Sequence, residues 1–120
     1  MRGRFGERGE LYFEIELIDS DGNALAVEAL FDTGFTGWIA LNNQDAQSLG
    51  WFAADELLMN TARGIASFTT YIERTRVAGE ELEVEILGGE EVSEVLMGLA
   101  WLRTRQLVVN FSENLLILDE

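Results

Sequence analysis

From Leu11 the chain alternates. Leu11, Phe13, Ile15 and Leu17 take every second position, with Tyr12, Glu14, Glu16 and Ile18 between them. This period of two predicts a strand with one buried face. Asp19-Ser20-Asp21-Gly22-Asn23 supplies turn chemistry, and a second strand is expected from Ala24 to Phe31. The same five residues faintly resemble a calcium loop, but the regular ligand spacing and the distal glutamate are missing, so a hairpin turn is the reading. Asn42 to Gly50 is the best helix candidate, with Asn42 or Asn43 as N-cap and Gly50 at its end. Ser67 to Thr75 reads as a strand. Leu82, Val84 and Ile86 alternate with Glu81, Glu83 and Glu85 in another, and Gly88-Gly89 is expected to turn. A short helix is expected from Leu99 to Thr104. Leu107 to Phe111 and Leu115 to Leu118 are read as closing strands around a Ser112-Glu113-Asn114 turn. Many short strands with one or two short helices predict an all-β domain, a small barrel or sandwich.

The first ten residues do not share this pattern. Met1 to Glu10 place Gly at positions 3, 6 and 9 among alternating charges. No strand precedes these glycines, so they do not read as a phosphate loop, and a flexible N-terminal arm over 1–10 is expected. Residues 11–120 are then a single domain, with no internal repeat or linker. No apolar run approaches the roughly 18 residues of a membrane span, and the charged, Gly-rich start is not a secretory signal. With no Cys to form disulfides, a cytoplasmic location is the expectation.

Composition narrows the chemistry sharply. The chain has no His, Cys, Lys or Pro, and its 8 basic residues, all Arg, face 22 acidic ones, for a net charge of −14. Without imidazole, thiol or amine side chains there is no Ser-His-Asp site, no Cys nucleophile, no Schiff-base lysine and no structural zinc site. The acid and base of any enzymatic reaction must come from Asp, Glu or Tyr. The acidic balance argues against nucleic acid and anionic membrane surfaces as partners, and no cofactor or metal is expected. The 48% hydrophobic content supports a real core.

One segment departs from simple strand logic. In Ala29-Leu30-Phe31-Asp32-Thr33-Gly34-Phe35-Thr36-Gly37-Trp38-Ile39 an acid sits between two apolar runs. A carboxylate placed there is partly buried and needs hydrogen bonds, which Thr33, the Gly34 amide and Thr36 are placed to give. The bare Asp32-Thr33-Gly34 tripeptide is weak by itself, since a turn after a strand is the default reading.

Its flanks and a second segment change that. Leu30-Phe31-Asp32-Thr33-Gly34-Phe35-Thr36 resembles the active-site signature of the retropepsin-like aspartic proteases, the single-domain clan that includes retroviral proteases and short prokaryotic relatives. Glu94-Val95-Leu96-Met97-Gly98-Leu99-Ala100-Trp101-Leu102, followed by Leu107 to Phe111, resembles the clan's second element, in which an apolar strand ends in Gly before a short helix and a closing strand. Gly34 and Gly98 lie 64 positions apart, in the family's order. Asn60 to Phe68 occupies the place of the flap hairpin, with Gly64 at the tip. The resemblance implies a small closed β-barrel of the retropepsin-like acid protease type. It implies an aspartic endopeptidase that cuts polypeptide substrates as a homodimer, Asp32 from each copy activating a water. By the same resemblance Thr33 locks the two loops together, Gly34 admits the substrate backbone, and Thr36 hydrogen-bonds around the loop. Phe35 and Ile65 face the cleft, Gly64 lets the flap bend, and Gly98 marks the second motif.

Two departures matter. Phe35 stands where the family often has Ala. Leu99 and Thr36 stand where retroviral members carry an Arg and an acid that pair. A peptide-binding module of the same fold, catalytically weak or silent, is therefore the alternative. Leu115 to Leu118 can pair with its symmetry mate in such a dimer, since an apolar edge wants covering. Trp38, Trp51 and Trp101 read as core packing, and the glutamates from Glu80 to Glu94 as a solvated face. Arg74 and Arg76 are expected to offset nearby glutamates. Asn110-Phe111-Ser112 is a glycosylation match in a core strand, without the secretory context it would need.

Overall fold

The computed structural model describes residues 1–119; Glu120, the last residue of the expected domain, lies outside them. Ten strands form in chain order: β1 (Arg4–Phe5), β2 (Leu11–Ile18), β3 (Ala24–Phe31), β4 (Ile39–Asn42), β5 (Asp55–Thr61), β6 (Gly64–Val77), β7 (Glu80–Gly89), β8 (Val95–Met97), β9 (Gln106–Asn110) and β10 (Leu115–Asp119). One short helix, α1 (Asn43–Ser48), follows β4, and a 3-10 turn covers Leu99–Arg103. Pairing runs β2-β3-β8-β4-β7-β6 and returns to β2 through Glu16–Arg76 and Leu17–Thr75, which closes a six-stranded barrel. Closure leaves none of these six strands with two free edges. The all-β barrel expected from the sequence is the fold observed.

The alternating strands behave as their periodicity requires. Phe13, Ile15 and Leu17 of β2 are buried, as are Val84 and Ile86 of β7, while Glu14, Glu81, Glu83 and Glu85 face out. The core joins these to Phe31, Ile39, Leu41, Tyr71, Met97 and Trp101. Burying each such large side chain is worth about 1.5–3 kcal/mol. The tryptophans pack as expected: Trp101 meets Trp38 edge-on at 5.0 Å, and Trp51 lies against Tyr71 while its Nε1 donates to the Ile18 carbonyl at 2.8 Å.

The turns are local chemistry. The Asp19 carboxylate accepts from the Asp21 and Asn23 amides at 3.0 and 2.8 Å, so its oxygen is spent on the β2–β3 hairpin. Asn42 caps α1 by accepting from the Gln44 amide at 2.8 Å. Ala78 and Gly79 both take positive φ, the geometry of a two-residue hairpin turn, and join β6 to β7. Arg74 pairs with Glu81, and Arg76 with both Glu81 and Glu16.

Four expectations change. Gly88 and Gly89 do not turn; they end β7, paired with Leu41 and Asn42 of β4. Their lack of side chains serves close packing: a Cβ on Gly88 would stand 2.7 Å from Asn43 Oδ1, and one on Gly89 would stand 2.7 Å from the Phe68 ring. The helix expected after Gly98 is a single 3-10 turn. The edge of β10 is not open to a symmetry mate. Inside the chain it is covered by the first residues, where the Leu118 amide donates to Met1 O at 2.9 Å and the Gly3 amide to Leu116 O at 2.8 Å. The segment read as a flexible arm is thus laced into the fold at its start. Arg4 also pairs with Glu28, and Phe5 stacks on Phe111 at 4.6 Å.

No helix among the described residues is long and apolar enough to cross a membrane.

Glu73, on β6 between Tyr71 and Thr75, supplies a pH test. Burial raises its pKa above the ordinary carboxylate value, Glu83 adds to the rise, and Arg74 partly opposes it. A raised folded-state pKa contributes stability below the unfolded value and loses it as pH rises through the folded one. Glu73→Gln is therefore expected to be more stable than the parent at pH 7, with the gain shrinking towards pH 4. Urea denaturation at the two pH values measures it, and an equal gain at both would refute the burial argument.

Candidate active site

The Asp32 loop hangs from the end of β3. That strand runs buried through Ala29 and Phe31, parallel to β8, with Phe31 opposite Met97. Where β3 stops, the Asp32 amide still donates to the Met97 carbonyl at 2.9 Å. The carboxylate is thus fixed at the edge of the core, half-buried, while Thr33, Gly34 and Thr36 are exposed. Asp32 Oδ1 accepts from the Gly34 amide at 2.8 Å, and the Phe35 amide donates to the Asp32 carbonyl at 3.1 Å. Oδ2 accepts no hydrogen bond among the described residues, and neither do the hydroxyls of Thr33 and Thr36 make one.

A second layer holds this loop from below. The Gly98 amide donates to the Trp38 carbonyl at 3.1 Å, the Leu99 amide to the Phe35 carbonyl at 2.8 Å, and the Ala100 amide to the Gly37 carbonyl at 3.2 Å. Trp101 Nε1 donates to the same Trp38 carbonyl at 2.8 Å. Four donors from the 98–101 segment therefore satisfy three carbonyls, those of Phe35, Gly37 and Trp38. The approach is too close for any side chain at position 98. A Cβ there would stand 2.6 Å from the Phe35 carbonyl oxygen and closer still to that of Gly37.

Asp32, Thr33, Gly34, Phe35, Thr36 and Gly98 are thus brought together. Gly64 and Ile65 are not part of that cluster. They sit at the tip of the β5–β6 hairpin, where Gly64 takes φ +106°. The hairpin overhangs a groove of about 790 Å³ lined by its own residues Thr61 to Arg63 and Ile65 to Thr69, by Glu56, by Asn43 and Gly88, and by Glu90, Glu91 and Val92. Asp32, Phe35 and Gly98 do not line it. Across its mouth Arg63 pairs with Glu91 at 3.1 Å. Sequence reasoning missed Glu56, Arg63, Glu90 and Glu91 as groove residues. The one local signal was a charged residue beside a tip glycine. No group of three or more metal-ligating side chains occurs among the described residues.

The arrangement offers an oriented carboxylate at a surface loop and a separate groove under a hairpin. No family model matches the sequence, and no curated protein matches it. Solved structures do, these two among others. One is a retropepsin-like aspartic protease from Rickettsia conorii, with a TM-score of 0.68 and 22% identity over 98% of this chain and 88% of that one. The other is the protease of Simian Foamy Virus (mac), with a TM-score of 0.56 and 19% identity over 80% of this chain and 99% of that one. At these identities the likeness is one of fold.

The Gly98 contact can be tested by stability. Gly98→Ala is expected to cost about 3 kcal/mol, because backbone carbonyls cannot yield as a side chain would. Urea unfolding measures it, and a loss within experimental error would mean that the loop does not depend on this approach.

Proposed function

Starting from its retropepsin-like fold, we propose that the protein is an aspartic endopeptidase that works as a homodimer. One observation carries the reading. Asp32 stands at the end of a buried strand with one carboxylate oxygen held by the Gly34 amide and the other unengaged. One chain provides one such carboxylate, and water activation of this kind needs two, so a two-fold symmetric pair supplies the second. The unpartnered hydroxyls of Thr33 and Thr36, exposed beside Asp32, suit contact with the partner's loop.

In that pair the chemistry follows from like charges in close quarters. Two carboxylates a few ångströms apart do not both ionise comfortably and share one proton. The ionised one takes a proton from water as the water oxygen bonds to the peptide carbonyl carbon. The protonated one donates its proton to the carbonyl oxygen. Collapse of the tetrahedral intermediate breaks the C–N bond, the amine leaves with a proton, and the dyad returns to its shared-proton state. The pair titrates as a unit. Gly34 leaves room for substrate backbone, Phe35 forms a wall of the cleft, and Gly64 and Ile65 close over the substrate from the hairpin. No cofactor takes part.

A second reading has its own observation. The groove under the hairpin forms within a single chain and does not involve Asp32. A monomer can therefore hold an extended peptide beside the hairpin without cutting it.

Two experiments decide between these. Incubation with unstructured proteins from pH 3 to 8 is expected to give cleavage by the parent and none by Asp32→Asn. Equal cleavage by both, or none by either, removes the peptidase reading. Association should also depend on pH. Each chain carries −14, so a dimer carries −28 and repels itself at neutral pH and low salt. Sedimentation equilibrium is expected to give tighter dimers between roughly pH 4 and 6, where carboxylates begin to protonate, than at pH 8. A dimer no tighter at pH 5 contradicts the charge argument.

A further inference from the structure

We propose that the groove under the β5–β6 hairpin selects a basic side chain, Lys or Arg, in an extended peptide. The proposal rests on the reading of the protein as one that engages polypeptides, and it names the class of polypeptide.

The groove has an apolar part and an acidic part. Ile65, 73% exposed at the hairpin tip, and Val92 on the facing loop offer surface for an aliphatic stem. Glu56, Glu90 and Glu91 supply three carboxylates, against a single cation, Arg63. Arg63 itself indicates what the groove accepts. It reaches from the hairpin tip to Glu91 at 3.1 Å, so a guanidinium already docks on this carboxylate from within the chain. Glu56 and Glu90 make no ion pair among the described residues, which leaves two carboxylates of the groove without a counter-charge. A long side chain with an apolar stem and a cationic head fits both parts at once.

The register of the hairpin puts Glu56 and Ile65 on one side. Glu56 lies opposite Thr69, Leu58 opposite Ser67, and Asn60 opposite Ile65. Directly opposed residues share a face, and residues two apart share it too. Glu56, Thr69, Ser67 and Ile65 therefore share one face, and Ala66 and Phe68 from the other face line the groove as well. The Arg63–Glu91 pair is highly exposed on both sides, and pairs of this kind are worth about 0–1 kcal/mol. It therefore yields readily to a competing cation from a ligand.

The test separates this proposal from the peptidase reading. Labelled peptides of one neutral sequence carry a single Lys, Arg, norleucine or Glu at successive positions. Their affinity for Asp32→Asn is read by fluorescence anisotropy, and their cleavage by the parent is measured in parallel. At one position Lys and Arg are expected to bind at least about fivefold more tightly than norleucine, with Glu weakest, and the preference is expected to fall as salt rises. Glu56→Gln with Glu90→Gln, added together, is expected to bring that preference within about twofold at an unchanged melting temperature. Glu14→Gln with Glu85→Gln removes the same charge from exposed positions outside the groove and is expected to retain it. Equal affinity for Lys and norleucine at every position, no binding of either, or equal loss of preference in the two double variants overturns the proposal. Preference for Lys without cleavage by the parent supports the groove and removes the peptidase reading. Cleavage without preference does the reverse.

Discussion

The Asp32 loop depends on one close contact, that of Gly98 with the carbonyls of residues 35–38. The amides of Gly98, Leu99 and Ala100 and the Trp101 indole all donate into that short stretch of backbone. Three satisfied carbonyls, those of Phe35, Gly37 and Trp38, hold the loop in one shape, and carbonyls shielded from water without donors would each be costly. The contact exists because β8 lies between β3 and β4 in the barrel. β8 ends at Met97, directly beside the end of β3, so the residue after it must pass against the loop that β3 leads into. Only glycine passes there. The position of the Asp32 carboxylate is thus a result of strand order, transmitted through one residue without a side chain.

The absence of His, Cys and Lys has a matching consequence. Carboxylates are the acid–base groups left to the chain, and they are abundant on its surface. Most are solvated, some are paired with Arg, and a few line the groove under the hairpin. On the proposed reading, the same excess of acid that would draw a basic peptide towards that groove would oppose the meeting of two chains. On that reading, substrate preference and dimer strength are therefore coupled through one property, the net charge, and salt weakens the first while it strengthens the second.

The barrel was legible in the sequence wherever one face of a strand is buried. Leu11 to Leu17 and Leu82 to Ile86 announce themselves by alternation, and Asn42 by its capping chemistry. Asp32-Thr33-Gly34 and Gly98 were legible through their flanks. What escaped was long-range. Gly88-Gly89 reads as a turn locally, and only the nearness of Asn43, Tyr71 and Phe68 makes it strand. Strand β5 is exposed along its whole length, so no burial pattern marks it. Residues 1–5 are held by pairing with β2 and β10, partners that no local pattern predicts. The Arg63–Glu91 pair spans 28 positions and joins two segments that each look like solvated charge.

The central claim is that two chains together form the reacting site, one Asp32 from each. Mixing the parent with Asp32→Asn, under conditions where subunits exchange, tests it most directly. At fixed total protein, activity should fall as the square of the parent's fraction, because only parent–parent pairs hold two carboxylates. Half-and-half mixing should therefore leave about a quarter of the activity. A linear fall, with half the activity left at half-and-half, would contradict the account by placing the whole reaction within one chain.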